Sequence, residues 1–219
     1  GLLGEFARLV RELKPELVTM ENVPRVTNHA PYRQFLETLR ELEYEVDAKR
    51  VRCADYGIPQ ERRRFVLVAS RMGPIKLRKP AEGEYRTVRD AIQHLPPLAA
   101  GETDRNDRLH KARSLTPINL ERIRASKPGG TWEDWPQELR APCHRAATGA
   151  SFRSVYARMT WDRPAPTMTT QCFNFGTGRF GHPEQDRAIS LREAAILQSF
   201  PNNYKFVPET GSIYFSAVG

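Results

Sequence analysis

Glu21 and Asn22 follow Leu17, Val18 and Met20, an apolar stretch with the character of a strand end, and Pro24 comes two residues later. A carboxylate and an amide on a stiffened exit from a strand make a rigid group that can address the hydrogen-bonding edge of a planar heterocycle. Taken alone, such a carboxylate is more often a cap or a surface ion-pair partner. A second group is "QERRRFVLVAS", residues 60–70. If the backbone is extended from Gln60 onward, the two-residue period puts Gln60, Arg62 and Arg64 on one face and Glu61 and Arg63 on the other. Guanidinium groups there suit a phosphate or a base carbonyl; the plainer reading is a solvated charge run leading into a strand. A third group lies in residues 161–183, where Thr167, Thr169 and Thr170 accompany Gly176, Gly178 and Gly181. Hydroxyls and glycines in that density suit a loop that approaches a phosphate backbone closely.

These groups need a scaffold. The opening "GLLGEFARLVRELK" has Leu2, Leu3, Phe6, Leu9, Val10 and Leu13 at helical spacing. It starts in mid-helix without a cap, as a piece of a longer chain would. A strand follows through Leu17–Met20, then a helix from Pro31 to about Glu43 with Phe35, Leu36, Leu39 and Leu42 on one face. "YEVDAKRVRC" reads as a strand or two, and "RFVLVAS" as a strand covered on both faces. Helix and strand in alternation argue an open α/β sheet, whose ligands bind beyond the carboxyl ends of the strands, where Glu21 sits.

From residue 71 to 163 the chain changes character. Proline and glycine become frequent, with short helices expected from Thr87 and from Thr116, the latter with Pro117 in its first turn. The chain's net charge is +8 and hydrophobic residues make up 39% of it, enough for a folded core. Residues 71–163 hold 18 Lys+Arg against 11 Asp+Glu, so this stretch carries +7 of the +8. An excess confined to one segment is an electrostatic footprint for an acidic partner, with nucleic acid first. In residues 190–200, Ser190 and Glu193 form a capping box, and this last helix is expected to return the chain to the first domain. Cys53, Cys143 and Cys172 are too few and too scattered for a disulfide framework or a zinc site, and no metal is expected. No run of 18 apolar residues is present, so no membrane partner is expected and a cytoplasmic setting fits.

Taken together, ENV after a strand, Q-x-R-x-R before the next, a basic lobe and then "RPAPTMTT…ISLREAAILQSFP" resemble the DNA cytosine-5 methyltransferase family over essentially the whole chain. The resemblance implies a partial Rossmann-like methyltransferase sheet with helices, plus a smaller irregular basic target recognition domain. Residues 1–70 would be the C-terminal part of the catalytic domain, 71–163 the target recognition domain, and 164–219 the segment returning to the catalytic domain. In the family a cysteine thiolate attacks C6 of a flipped-out cytosine, and C5 then takes a methyl group from S-adenosylmethionine. Glu21 matches the glutamate that addresses N3 and the exocyclic amine. Arg64 matches the arginine at cytosine O2, Arg62 its partner near the nucleophile, and Asn22 the residue that orders the catalytic loop. Gln60, Thr167, Thr169, Thr170 and Arg179 fall where the family supports its recognition domain and touches double-stranded DNA.

The match departs from the family at both ends. The nucleophile's Pro-Cys dipeptide precedes ENV in the family and is not found here; "APCH" at 141–144 comes after ENV, so Cys143 is not expected to be the nucleophile. Cys53 and Cys172 read as small buried residues. The closing motif is expected to be cut at "SAVG", and the cofactor loops to lie mostly outside this chain. The leading expectation is therefore a fragment of a methyltransferase that acts within restriction-modification, inactive alone and completed by its missing N-terminal half or by a partner subunit. The alternatives are a catalytically silent DNA-binding module and one subunit of a naturally split enzyme.

Overall fold

The computed structural model describes residues 1–78, 80, 83, 85–146, 153–204 and 206. The expected cut at residues 216–219 lies outside them. The chain divides into two compact units, one made of residues 1–56 and 62–83, the other of 57–61 and 84–219.

In the first unit, helix α1 (Leu2–Leu13) ends where Lys14 turns left-handed at φ 44° and donates its N–H to the Val10 carbonyl, with Pro15 next in the chain. Strand β1 (Leu17–Asn22) leads through a 3-10 turn at Pro24–Asn28 into helix α2 (Ala30–Glu41). Strands β2 (Glu45–Arg52) and β3 (Arg63–Ser70) complete a sheet of order β1-β3-β2. Both outer strands run antiparallel to β3 and hence parallel to each other. The α2 connection thus carries the chain from β1 past one strand position, and β3 fills the gap. The fold class is α/β, as expected.

One expectation changes. The apolar run "RFVLVAS" is covered on one face only: Phe65, Leu67 and Ala69 are buried, whereas Arg64, Val66 and Val68 are half-exposed. The buried residues join Val18, Tyr32, Phe35 and Leu39, with Phe6 of α1 packed against them. Tyr32 meets Phe65 edge-on at 5.2 Å, and Phe6 lies 5.3 Å from Phe35. Spacings of three and four bring Tyr32, Phe35 and Leu39 onto one stripe of α2. On α1, Val10 is buried, while Leu2, Leu9 and Leu13 remain exposed despite their helical period.

The second unit has little regular structure: α3 (Val88–Ile92), α4 (Pro117–Ala125), α5 (Pro142–Arg145) and α6 (Leu191–Leu197). Its helix starts follow local chemistry. Thr87 with Asp90, and Ser190 with Glu193, form capping boxes, and Pro117 opens α4. Helix α6 is buried along its whole length and packs with α3 around Met159, Met168 and Phe180. The described part of residues 164–219 therefore clusters with residues 84–163.

Buried ion pairs tie this loop-rich unit together. Arg187 grips Glu193 through both guanidinium nitrogens at 2.7 and 2.8 Å, with the two side chains 0% and 1% exposed. Burial opposes ionisation of Glu193, but the Arg187 bonds and charge hold its carboxyl below the usual range. Arg158 donates to the carbonyls of Ile123, Ser126, His182 and Gln185 and to Asp186 at 2.5 Å. It replaces strand ladders as the hub to which separate loops are fastened.

Candidate active site

In the first unit the sheet register builds the site. Glu21 stands opposite Val66 on β3, and Arg64, two residues back, emerges on the same face as a diagonal neighbour. Arg64 Nε approaches Glu21 Oε1 to 2.5 Å, with side-chain exposures of 19% and 55%. Arg64 Nη1 also donates to the Arg63 carbonyl at 2.8 Å, fixing the guanidinium plane. The carboxylate is thus aimed by a half-buried partner while remaining open to solvent.

Asn22 accepts the Val23 N–H at 2.8 Å through its side-chain oxygen, which shapes the turn leading to Pro24. Arg62 is half-exposed, and its carbonyl accepts the Cys53 N–H at 2.8 Å. Burial raises the Cys53 thiol, Arg62 and Arg64 pull it down, and Glu21 pushes it up again; the net shift is upward. Cys53 is thus within electrostatic reach of Glu21 and Arg64, and it is only partly buried, unlike the buried thiol expected from sequence. Its placement was missed because the residues around it come from three separate stretches of chain.

The other expected site residues fall in the second unit. Strand β3 begins at Arg63, so the two-residue period does not reach back to Gln60. Gln60 is 2% exposed. Its Oε1 accepts the Met168 N–H at 3.0 Å and its Nε2 donates to the Leu197 carbonyl at 3.3 Å. A direct reach of Gln60 to DNA is not what this geometry offers, because both ends of the amide are spent inside the protein. Around it, Glu61 N–H donates to the Ala165 carbonyl at 2.7 Å and Thr167 Oγ1 to the Glu61 carbonyl at 3.2 Å. Thr169, Thr170 and Arg179 are exposed.

The glycines also differ from expectation. A Cβ on Gly178 would lie 2.2 Å from the Phe180 ring, one on Gly176 3.1 Å from the Tyr156 hydroxyl, and one on Gly181 3.0 Å from the Ala157 carbonyl. They make room for the protein's own packing and do not present an open cradle to a phosphate. The remaining cysteines separate clearly: Cys172 is buried and its thiol is pushed up to about 11 by burial, while Cys143 lies exposed on α5. Among the described residues no cluster of His, Cys, Asp or Glu could hold a metal ion. No described helix is long and apolar enough to cross a membrane.

Comparison with known proteins identifies the family. The family described as C-5 cytosine-specific DNA methylase matches residues 1–217. The Type II methylase M.HgiDII of Herpetosiphon aurantiacus is 52% identical across 99% of this chain and 62% of its own. The Type II methyltransferase M1.HphI of Haemophilus parahaemolyticus is 34% identical, covering 94% of this chain and 53% of its own. The chain therefore spans a little over half the length of these curated relatives. Among solved structures, a prophage-encoded E. coli protein described as a DNA modification methyltransferase shares the fold, with TM-score 0.65 and 22% identity over 92% of this chain and 64% of that one. On the family match and the identity to M.HgiDII, this chain belongs to the C-5 cytosine-specific DNA methylase family.

Proposed function

We propose that this chain supplies the base-binding and target-recognition part of a DNA cytosine-5 methyltransferase of the Type II restriction-modification kind, acting on double-stranded DNA. The observation that carries the reading is the Glu21–Arg64 pair at the exit of β1. A carboxyl at cytosine N3 and the amine, with a guanidinium at O2, reads three adjacent atoms of one base edge. Attack at C6 drives negative charge onto the ring, and a proton or strong hydrogen bond from Glu21 at N3 offsets it. Arg64 holds the carboxylate in position before the base arrives, and Asn22 fixes the turn behind it. Extruding the base from the duplex costs a few kcal/mol, which a charged, shaped pocket must offset.

In this reading the attacking thiolate comes from outside the chain, and the isolated chain is inactive. The upward shifts of Cys53 and Cys172 support that, since a nucleophilic cysteine needs a depressed one. S-adenosylmethionine supplies the methyl group in the family. The cleft lined by Arg163 and Arg179 is a poor match for its sulfonium cation, so we assign no cofactor-binding residue. Residues 1–70 are read as catalytic-domain sequence, 71–163 as the recognition domain and 164–219 as the return segment. Gln60 and Thr167 act as struts within the second unit, and Thr169, Thr170 and Arg179 face the DNA. A cytoplasmic setting goes with three free cysteines.

The test joins this chain to the upstream sequence or partner subunit that supplies a Pro-Cys motif. The product is incubated with duplex DNA and S-adenosylmethionine, and nucleosides are analysed by mass spectrometry. 5-Methylcytosine formation that disappears in Glu21→Gln is expected. Methylation at adenine, or none with any completed enzyme, overturns the reading.

A further inference from the structure

The formal charge of the second unit overstates what it offers a partner. Arg89, Arg124, Arg153, Arg158, Arg187 and Arg192 are each paired with a carboxylate. Arg122, Arg140 and Arg145 spend their guanidinium groups on backbone carbonyls. Arg86, Arg105 and Arg108 are exposed with no side-chain bond among the described residues, and two further arginines share a cleft. Arg163 and Arg179 are exposed, their guanidinium groups make no hydrogen bond or ion pair with any described residue, and they line the same cleft of about 270 Å³. Its walls include Pro164, Pro166 and the Gly129 turn, which itself follows Lys127, another exposed cation. One carboxylate, Glu61, shares the lining and is already engaged.

Two uncommitted guanidinium groups in one cleft, that of Arg163 followed by Pro164, have a simple complement. Each offers a planar fork of donors that matches the non-bridging oxygens of a phosphodiester. Rigid walls reduce the side-chain entropy lost on binding. We propose that Arg163 and Arg179 clamp a backbone phosphate of DNA in this cleft. The assignment rests on the DNA-directed reading above.

The test is the salt dependence of binding to a fluorescent 30-base-pair duplex, followed by anisotropy with the 219-residue chain. Arg163→Ala and Arg179→Ala should each lower the slope of log K against log salt by about 1, and the double variant by about 2. Arg163→Lys should keep the slope but weaken binding, because it retains the charge and loses the fork. Arg145→Ala, a committed arginine, should change nothing. Neither cleft arginine has a partner to lose, so melting temperatures should match the parent's. A double variant with the parent's slope overturns the clamp, as does a parent that fails to bind duplex at low salt or prefers duplex RNA. Methylation by the completed enzyme is scored separately, so the clamp can fail while the methyltransferase reading stands.

Discussion

Arg64 Nε and Glu21 Oε1 lie 2.5 Å apart, joined diagonally across neighbouring antiparallel strands. The arginine is the more buried partner, so the pair works as an aiming device for the carboxylate more than as a brace for the sheet. Glu21→Gln should leave the melting temperature of the chain nearly unchanged, since an exposed ion pair contributes at most about 1 kcal/mol. In the completed enzyme the same change should lower turnover by about 100-fold or more, the range for a positioned acid, while DNA binding survives. Turnover equal to the parent's would remove Glu21 from the mechanism.

Arg64→Lys separates charge from geometry. Lysine keeps the positive charge but cannot reproduce a guanidinium held at once by the Arg63 carbonyl and Glu21. The completed enzyme should lose activity through the chemical step, with DNA affinity little affected. Parental kinetics would show that charge alone is enough at this position.

Gln60→Ala should behave as a core mutation. It leaves the Met168 N–H and the Leu197 carbonyl without their partner, at a cost of about 1–3 kcal/mol in denaturant unfolding. The salt slope of DNA binding should not move. A changed slope with unchanged stability would restore a direct role at DNA.

His182 makes the second unit sensitive to acid. Its Nδ1 accepts the N–H groups of Glu184 and Gln185 at 3.2 and 2.9 Å, which requires the neutral ring. Burial, with only partial opposition from Glu193, depresses it to about 4. The folded value lies below the unfolded one, so this stabilisation is complete above about pH 6.5 and is lost as pH falls toward 4. The loss should reach about 3 kcal/mol by pH 4. His182→Asn keeps an acceptor for the two N–H groups and should flatten that part of the stability profile; an unchanged profile would acquit His182.

Arg187→Ala strands a buried carboxylate and should destabilise the second unit by about 3–5 kcal/mol. Replacing both Arg187 and Glu193 with apolar residues should cost less than the single change, which chemical unfolding of the two variants can compare.

What sequence reading recovers and what it misses follow a division by range. Capping at Thr87 and Ser190, and the entry of Pro117 into α4, depend on groups within about four residues and were legible. The period of two placed Arg64 with its strand, and its alignment with Glu21 needed the register of residues more than forty positions apart. The one-sided cover of β3 and its antiparallel pairing on both edges are long-range facts of the same kind. Gln60 misled because a polar side chain in a basic run looks solvated; its burial is decided by Met168 and Leu197, more than a hundred residues away. The charge excess did not show which arginines are bound internally, since those pairings, such as Arg158 with Asp186 and Arg192 with Asp107, join residues far apart in the chain.

Residues 57–61 leave the first unit between β2 and β3, join the second through Ala165, and then hand the chain back. The units are therefore interleaved along the chain, and no single cut separates them. A clone ending at residue 83 would carry five residues whose pairing partner is gone. A graft of residues 84–219 into another enzyme would lack the strand of backbone that Ala165 and Met168 are built to receive. Recombination between relatives that moves residues 84–219 should thus give a folded product only when residues 57–61 travel with them.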